Sequence, residues 1–331
     1  MSYVGASKSL YVKRMKHPSL ALCIPAYNAA DFLPRLLKSA LAQTIPFDEI
    51  WVYDDCSIDE TGKIAAEFGA EVVRGDVNRG CSFGKNTLAQ KTSCDWIHFH
   101  DADDALYPNF VEQAHKWMLQ NKAPDVVLFS YDYKDEATDR LLLVRVFDDL
   151  ELKRDSIAYT IREQINPFCG LYRREAFLRA GGYDLDPLVL YNEDVAMHCQ
   201  LARAGLTFAA DPTVTVINYC RSNSMSSANK IQCARAQFHV MRKSAEVLEG
   251  CYVDNISQKL WEVAAVSASY LDWENADACI SLAVFLNGKI PKNNSLFFKY
   301  NCYFSPYFAL RIRELLIRNF KPSLRQKYSS I

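Results

Sequence analysis

The sequence has no uninterrupted apolar run approaching the ~20 residues that a membrane-spanning helix needs, so a transmembrane helix is not expected. It has almost no net charge, with 38 Lys and Arg against 39 Asp and Glu. No overall field therefore draws the chain to nucleic acid. Its eleven cysteines include no C-x-x-C pair and no Cys/His spacing of the zinc-binding kind, which argues against a structural zinc site. Cys23, Cys94, Cys169, Cys199 and Cys279 lie in apolar runs and read as small buried hydrophobes in a reducing compartment. Residues 1–18 carry basic side chains without an apolar core. They read as a loosely held arm rather than a secretory signal. No G-x-G-x-x-G follows the first predicted strand, and no G-x-x-x-x-G-K-[ST] occurs anywhere. Dinucleotide-binding and P-loop readings lose their main support. Half of the 331 residues are hydrophobic and 23% are charged, a composition suited to a globular chain with a substantial core.

What the chain does have is an apolar run that ends in carboxylates: Trp96-Ile97-His98-Phe99-His100-Asp101-Ala102-Asp103-Asp104. Aromatic and β-branched residues suit a buried strand. In open α/β sheets, ligands bind beyond the carboxyl ends of the strands. Clustered carboxylates repel one another, and a hard divalent cation such as Mg²⁺ or Mn²⁺ relieves that repulsion while also accepting phosphate oxygens. The same residues also read as a solvated acidic turn.

Around this stretch, strand and helix patterns alternate with short connections, which implies a parallel sheet covered by helices on both faces. Leu20 to Ile24 reads as a first strand stopped by Pro25. Asp31 is the expected N-cap of a helix carrying Leu33, Leu36, Leu37, Ala40 and Leu41. Glu49–Tyr53 and Ala70–Arg74 read as strands, and Asn78-Arg79-Gly80 leads into a helix with Lys85 and Asn86. Right-handed crossovers bring Ala26-Tyr27-Asn28, Asp54-Asp55 and Asp101-Ala102-Asp103 to one sheet edge. Further on, Leu141 to Phe147 reads as the return strand of a hairpin. Gly181-Gly182 reads as a helix stop. Glu193-Asp194 opens a helix, where acidic residues also simply suit the macrodipole. Phe208 to Tyr219 reads as a strand pair broken at Asp211-Pro212. His98, His100, Trp117 and Trp273 read as packing residues. From about residue 227 the pattern is helical. Its end combines aromatics with Arg311, Arg313, Arg318, Lys321, Arg325 and Lys327, which suits either a docked helix with a solvated basic face or contact with an anionic membrane surface.

Five segments, in order, resemble the inverting glycosyltransferases of family two, which have the GT-A fold, over about Leu20 to Ser226. Ile24-Pro25-Ala26-Tyr27-Asn28 resembles the family's opening strand and loop. Asp54-Asp55-Cys56-Ser57-Ile58-Asp59-Glu60-Thr61 resembles Asp-Asp-Gly-Ser-x-Asp-x-Thr, with Cys56 in place of glycine. Asn78-Arg79-Gly80 through Lys85-Asn86 resembles Asn-x-Gly…Arg-Asn. Asp101-Ala102-Asp103 matches Asp-x-Asp, and Gly181-Gly182-Tyr183-Asp184 with Glu193-Asp194 matches the acceptor-side motif.

The resemblance implies a GT-A domain over residues 19–226 and a helical region over 227–331. It implies a nucleotide pocket, leaning to uridine, lined by Pro25, Ala26, Tyr27, Asn28, Asp54 or Asp55, Asn78, Gly80 and Lys85. It implies Mn²⁺ or Mg²⁺ held by Asp101 and Asp103 about Ala102, Arg221 against the diphosphate, Asp194 as general base and Glu193 as its neighbour. One sugar would pass from a nucleotide-sugar donor to a glycan or lipid-linked glycan acceptor in surface-glycan synthesis. The processive Gln-x-x-Arg-Trp motif is absent. The expected setting is cytoplasmic, extending to the inner face of the membrane. A sugar nucleotidyltransferase and a non-catalytic nucleotide- or sugar-binding module are the competing readings.

Overall fold

A computed structural model describes residues 17–221, 228–291 and 295–326. Residues 1–16 of the expected arm, the 226/227 boundary, Ser222–Ser226 after the last strand and Lys327 lie outside the described residues.

The chain begins β1 (Leu20–Ala26), α1 (Leu33–Leu41), β2 (Glu49–Asp54), α2 (Thr61–Glu67), β3 (Glu71–Arg74), α3 (Cys81–Lys91), β4 (Trp96–Phe99) and β5 (Ala105–Leu106). It continues α4 (Phe110–Met118), β6 (Val126–Asp135), β7 (Leu141–Arg145), α5 (Asp149–Arg154), α6 (Ser156–Arg162), β8 (Gly170–Arg173), α7 (Arg174–Arg179), α8 (Glu193–Arg203) and β9 (Phe208–Cys220). Further helices follow: α9 (Lys230–Val247), α10 (Val253–Ser269), α11 (Trp273–Asn287), α12 (Leu296–Phe304) and α13 (Pro306–Phe320).

The sheet runs β3-β2-β1-β4-β8-β6-β9-β5, with β7 on β6. Its N-terminal half, β3-β2-β1-β4, is parallel, as the alternating pattern predicts. Beyond β4 it is mixed: β8 lies antiparallel between β4 and β6, and β9 runs parallel to β6. All seven residues of β1 are buried, so both faces of the sheet centre are covered.

Three local expectations are corrected. Pro25 does not stop the first strand, because pairing with β4 ends at Cys23 and only β2 accompanies β1 from there to Ala26. A proline's missing N–H is tolerated where one ladder has ended. Asp31 is exposed and does not cap α1. The helix starts after Phe32 with no side-chain cap and Pro34 in its first turn, and Leu41 faces solvent. Phe208–Cys220 is one strand, not a pair: Phe129 pairs with Asp211 and Ser130 with Val214, so Pro212 and Thr213 are absorbed as a bulge. The hairpin of β6 and β7 forms as expected, and all eleven cysteines are free thiols.

Two glycine-type positions shape the ligand edge. A Cβ at Gly84 would come within 2.8 Å of the Tyr53 ring and 3.3 Å of Pro25, so glycine lets α3 lie close on β1 and β2. Cys56, in the place of the family glycine, adopts φ +63°. An L side chain pays for this left-handed conformation.

The apolar interior forms two clusters. One surrounds the sheet. The other gathers α9 to α13 with Ile161, Val189, Val195, Ala196 and Cys199. Helix α8 contributes to both, with Met197, Leu201 and Ala202 toward the sheet and Val195, Ala196 and Cys199 toward the helical region. The helical region thus shares a core with α6 and α8 of the sheet-bearing half.

The strained Cys56 yields a direct expectation. Cys56→Gly should raise stability by ~1 kcal/mol, measured as the denaturant midpoint, because the penalty for φ +63° is removed. An unchanged or lower midpoint would mean that the Sγ contact to the Asp76 carbonyl at 3.4 Å outweighs that strain.

Candidate active site

Adjacent parallel strands bring the three polar loops together. Ala26 is in register with Asp54, the Asp55 N–H donates to the Ala26 carbonyl at 2.9 Å, and the His100 N–H donates to Cys23 at 3.1 Å. Asn28, at φ +49°, accepts the Ile58 N–H at 2.9 Å, while its own N–H reaches Ser57 Oγ at 3.0 Å. Asparagine tolerates that conformation better than most residues, so the loop after β1 is stapled to the loop after β2. Tyr27 is half exposed at their mouth.

The structure separates the paired carboxylates that the sequence left as alternatives. Asp54 is wholly buried, is ion-paired with Arg74, and accepts the Ser57 N–H at 2.9 Å. Asp55 accepts the N–H groups of Arg79 at 2.8 Å and Gly80 at 2.7 Å. Asp55 therefore shapes the Asn78-Arg79-Gly80 loop, and the Asn78 side chain also accepts from Gly80 at 3.2 Å.

The three carboxylates after β4 likewise divide. Asp104 is buried and ties the turn to β9 by accepting from the Tyr219 N–H at 2.8 Å and the Asn218 amide at 2.7 Å. Burial pushes its carboxyl up to about 8, despite those donors. Asp101 and Asp103 stay about one-third exposed. Between them, Ala102 packs on the sheet core. Asp103 pairs with Arg221, and Arg35 donates to the Asp103 carbonyl. Both arginines also meet Glu136, Arg35 at 2.9 Å and Arg221 at 3.4 Å. Neither Arg35 nor Glu136 stands out in the sequence, because only the fold places α1 beside the end of β6.

The centre of the site is Lys85. Its side chain is 2% exposed, and its Nζ lies 3.2 Å from Asp101 Oδ1 and 3.9 Å from Asp194 Oδ1. Burial opposes the ammonium charge, but Asp101 and Asp194 more than compensate, so Lys85 stays protonated well above its ordinary range. Asp194 Oδ1 is buried and accepts no hydrogen bond. Burial pushes the Asp194 carboxyl up to about 8; Lys85 opposes the rise, while Glu193 and Asp101 add to it. One cation does not neutralise three neighbouring carboxylates, which favours the protonated form of Asp194.

Other residues hold this geometry. The Cys81 thiol donates to Glu193 Oε1 at 3.1 Å, and burial pushes that thiol up, so it remains a donor. Tyr191, at φ +75°, turns the chain into α8. The Asn86 side chain accepts the Tyr183 N–H at 2.8 Å and donates to the Tyr183 carbonyl at 2.9 Å. A Cβ at Gly182 would come within 2.5 Å of Asn86 Oδ1, so the Gly181-Gly182 stop also permits this clamp. Lys243 of α9 binds Asp184 at 2.7 Å and Asp186 at 2.6 Å. A cavity of about 280 Å³ lies between the start of α3 and this loop, lined by Arg79, Cys81, Phe83, Asp184, Leu190 and Glu193. His98 and His100 are fully buried and joined at 3.0 Å, and burial holds His100 down to about 3. They are neutral core histidines. Trp117 donates to Asp211 at 2.6 Å, and Trp273 packs under Arg311.

No group of three or more His, Cys, Asp or Glu side chains among the described residues forms a ready metal site. Asp101 and Asp103 nevertheless present two accessible hard-oxygen ligands from one short turn. This suits an ion that takes one or two carboxylates and completes its shell with phosphate oxygens and water.

Residues 21–180 match the family model described as glycosyl transferase family 2. Succinoglycan biosynthesis protein ExoO of Rhizobium meliloti (strain 1021) is 24% identical over 263 residues, covering 74% of this chain and 72% of its own length. Several other curated glycosyltransferases match over 41–55% of their length, so the chain spans about half of these relatives or less. S. aureus TarS 1–349 superposes with a TM-score of 0.63 at 17% identity, covering 91% of both chains, and has also been solved with UDP-GlcNAc. Mannosyltransferase PcManGT from Pyrobaculum calidifontis, solved with GDP-Man and Mn²⁺, gives 0.55 at 15% identity, over 92% of this chain and 88% of its own. These likenesses establish the GT-A type of fold.

Removing the central cation tests the cluster. Lys85→Met should destabilise the protein by about 3 kcal/mol or more in chemical denaturation, since it leaves carboxylates facing one another without compensation. Adding Asp101→Asn should recover part of that loss. Equal stability of Lys85→Met and the wild type would show that Lys85 is not the electrostatic centre of the site.

Proposed function

We propose that this chain, whose residues 21–180 belong to glycosyl transferase family 2, transfers one sugar from a nucleotide-sugar donor to an acceptor hydroxyl with inversion at the anomeric carbon. The observation that carries the reading is the convergence on Lys85: the same buried ammonium meets Asp101 of the Asp-x-Asp turn and Asp194 at the start of α8. Donor-side and acceptor-side carboxylates thus face one space.

In this reading the nucleoside lies over Pro25, Ala26, Tyr27 and Asn28, against Asp55 and the Asn78–Gly80 loop, with Asp54 bracing that floor from below. Asp101 and Asp103 hold Mn²⁺ or Mg²⁺, which when bound supplies charge neutralisation at the departing diphosphate. Arg221 exchanges its Asp103 partner for a phosphate oxygen, for which a guanidinium is well shaped. Lys85 contributes a fixed positive charge behind the diphosphate. Asp194 takes the proton of the acceptor hydroxyl as its oxygen bonds to the anomeric carbon and the bond to the diphosphate breaks on the opposite side. Glu193, held by Cys81, faces the cavity beside the Asp184–Leu190 loop and orients the acceptor. UDP is the favoured nucleotide, in line with the UDP-GlcNAc complex of TarS. The name of the Rhizobium relative favours a glycan acceptor in polysaccharide synthesis.

Calorimetric titration with UDP and with GDP, in Mn²⁺ and then in EDTA, tests the donor side. We expect metal-dependent UDP binding that Asp103→Ala abolishes; tight GDP binding instead would overturn the uridine assignment alone. Absence of both in a folded protein would favour a non-catalytic module. On the acceptor side, Asp194→Asn should lower kcat by roughly 10²–10⁴-fold without weakening UDP binding. The wild-type kcat/KM should climb as pH rises through about 8, because the base is protonated below that value and competent above it. A plateau already reached near an ordinary carboxylate pKa would overturn the raised Asp194 pKa, and undiminished kcat in Asp194→Asn would remove Asp194 from this role.

A further inference from the structure

Helices α12 and α13 carry a surface that the transfer reading does not use. On α12, one side seats Phe298 and Cys302 in the helical core. The other presents Tyr300, Tyr303 and Phe304, which are 62%, 83% and 72% exposed. Phe308 and Phe320 on α13 are also exposed. The rings of Tyr300 and Phe304 lie 5.3 Å apart, and so many exposed aromatics on two neighbouring helices mark a contact surface. Between the two helices runs a groove of about 380 Å³ with walls of Phe297, Leu316, Ile317 and Phe320. Two cations, Arg313 and Lys321, also line it. Among the described residues, neither side chain makes a hydrogen bond or ion pair, and Arg313 is only stacked 5.9 Å from the Phe298 ring.

Charge is concentrated in the same place. Residues 295–326 contain six Lys or Arg and a single acid, Glu314, whereas the rest of the chain carries 32 Lys or Arg against 38 Asp or Glu. Glu314 is buried and pairs with Arg325 at 2.6 Å and Arg318 at 2.9 Å, and Arg311 pairs with Asp277 at 2.8 Å, so the groove cations Arg313 and Lys321 carry the outward positive charge. No helix among the described residues is long and apolar enough to cross a bilayer. Aromatic side chains with flanking cations suit the headgroup boundary, where rings enter the apolar edge and ammonium or guanidinium groups meet phosphates. A second copy of the chain fits less well, because a two-fold contact would set this basic face against itself.

We propose that α12 and α13 form a peripheral docking face for an anionic lipid bilayer, with Tyr303 and Phe304 entering the interface and Arg313 and Lys321 facing lipid phosphates. The proposal stands apart from the transfer reading, and either can fail without the other.

Co-sedimentation of the full chain with vesicles of phosphatidylcholine, and of phosphatidylcholine mixed with phosphatidylglycerol, tests it. Binding should be confined to the anionic vesicles and should weaken as salt is raised. Y303E/F304E and R313E/K321E should each reduce the bound fraction about tenfold or more while the melting temperature stays that of the wild type. The exposed pair Y303E/F304E is the decisive variant should R313E/K321E disturb folding. Equal binding to neutral vesicles, no binding to anionic vesicles, or undiminished binding by folded Y303E/F304E would overturn the proposal. So would a dimer, detected by light scattering, that the same substitutions dissociate.

Discussion

A buried ammonium among carboxylates is the constraint on which this active-site edge depends. Lys85 can be buried only because Asp101 lies 3.2 Å away and Asp194 3.9 Å away. At an effective dielectric of ~20, the Asp101 contact is worth roughly 5 kcal/mol, comparable with the several kcal/mol needed to desolvate each ion. The arrangement is therefore near balance, and its use is geometric rather than stabilising. It fixes α3, the turn after β4 and the start of α8 relative to one another. Burial, with Glu193 and Asp101 adding to it, pushes up the carboxyl of Asp194, the group proposed to exchange a proton with substrate.

Helix α8 connects this chemistry to the rest of the molecule. Its first turn carries Glu193 and Asp194, and its two apolar sides enter two different cores. Lys243 of α9 secures the loop that precedes it, and Arg203 donates to Ser244 at 2.8 Å. The C-terminal helices are thus part of the support of the proposed acceptor side. They also place the basic aromatic face of α12 and α13 on the same body, so a chain docked through that face would hold its cleft in a defined orientation to the surface.

The parallel half of the sheet was legible because strand and helix periodicities alternate cleanly from Leu20 to Phe99, and the ends of neighbouring parallel strands must converge. The family motifs made Asp101, Asp103, Lys85 and Asp194 visible as candidates. Proline at position 25 misled because a local rule about missing N–H groups takes no account of where a ladder ends. Asp31 misled because capping preference is weak beside the packing of Leu33, Leu36 and Leu37. The helical pattern after residue 226 marks a change of architecture, and the core of those helices reaches back to Ile161, Val189 and α8.

Composition, periodicity and motif order determined the kind of fold, the sheet edge at which the polar loops converge and the charged residues available there. Those properties depend on short-range chemistry, read within a strand, a helix or one turn. Only the tertiary structure decided how the carboxylates are divided. Asp54 goes to Arg74, Asp55 to the Arg79 and Gly80 N–H groups, Asp104 to β9, Asp103 to Arg221, and Asp101 with Asp194 to Lys85. The reason is physical: a carboxylate's role is set by the donors and the burial around it, and those come from segments as many as 118 residues away in the chain.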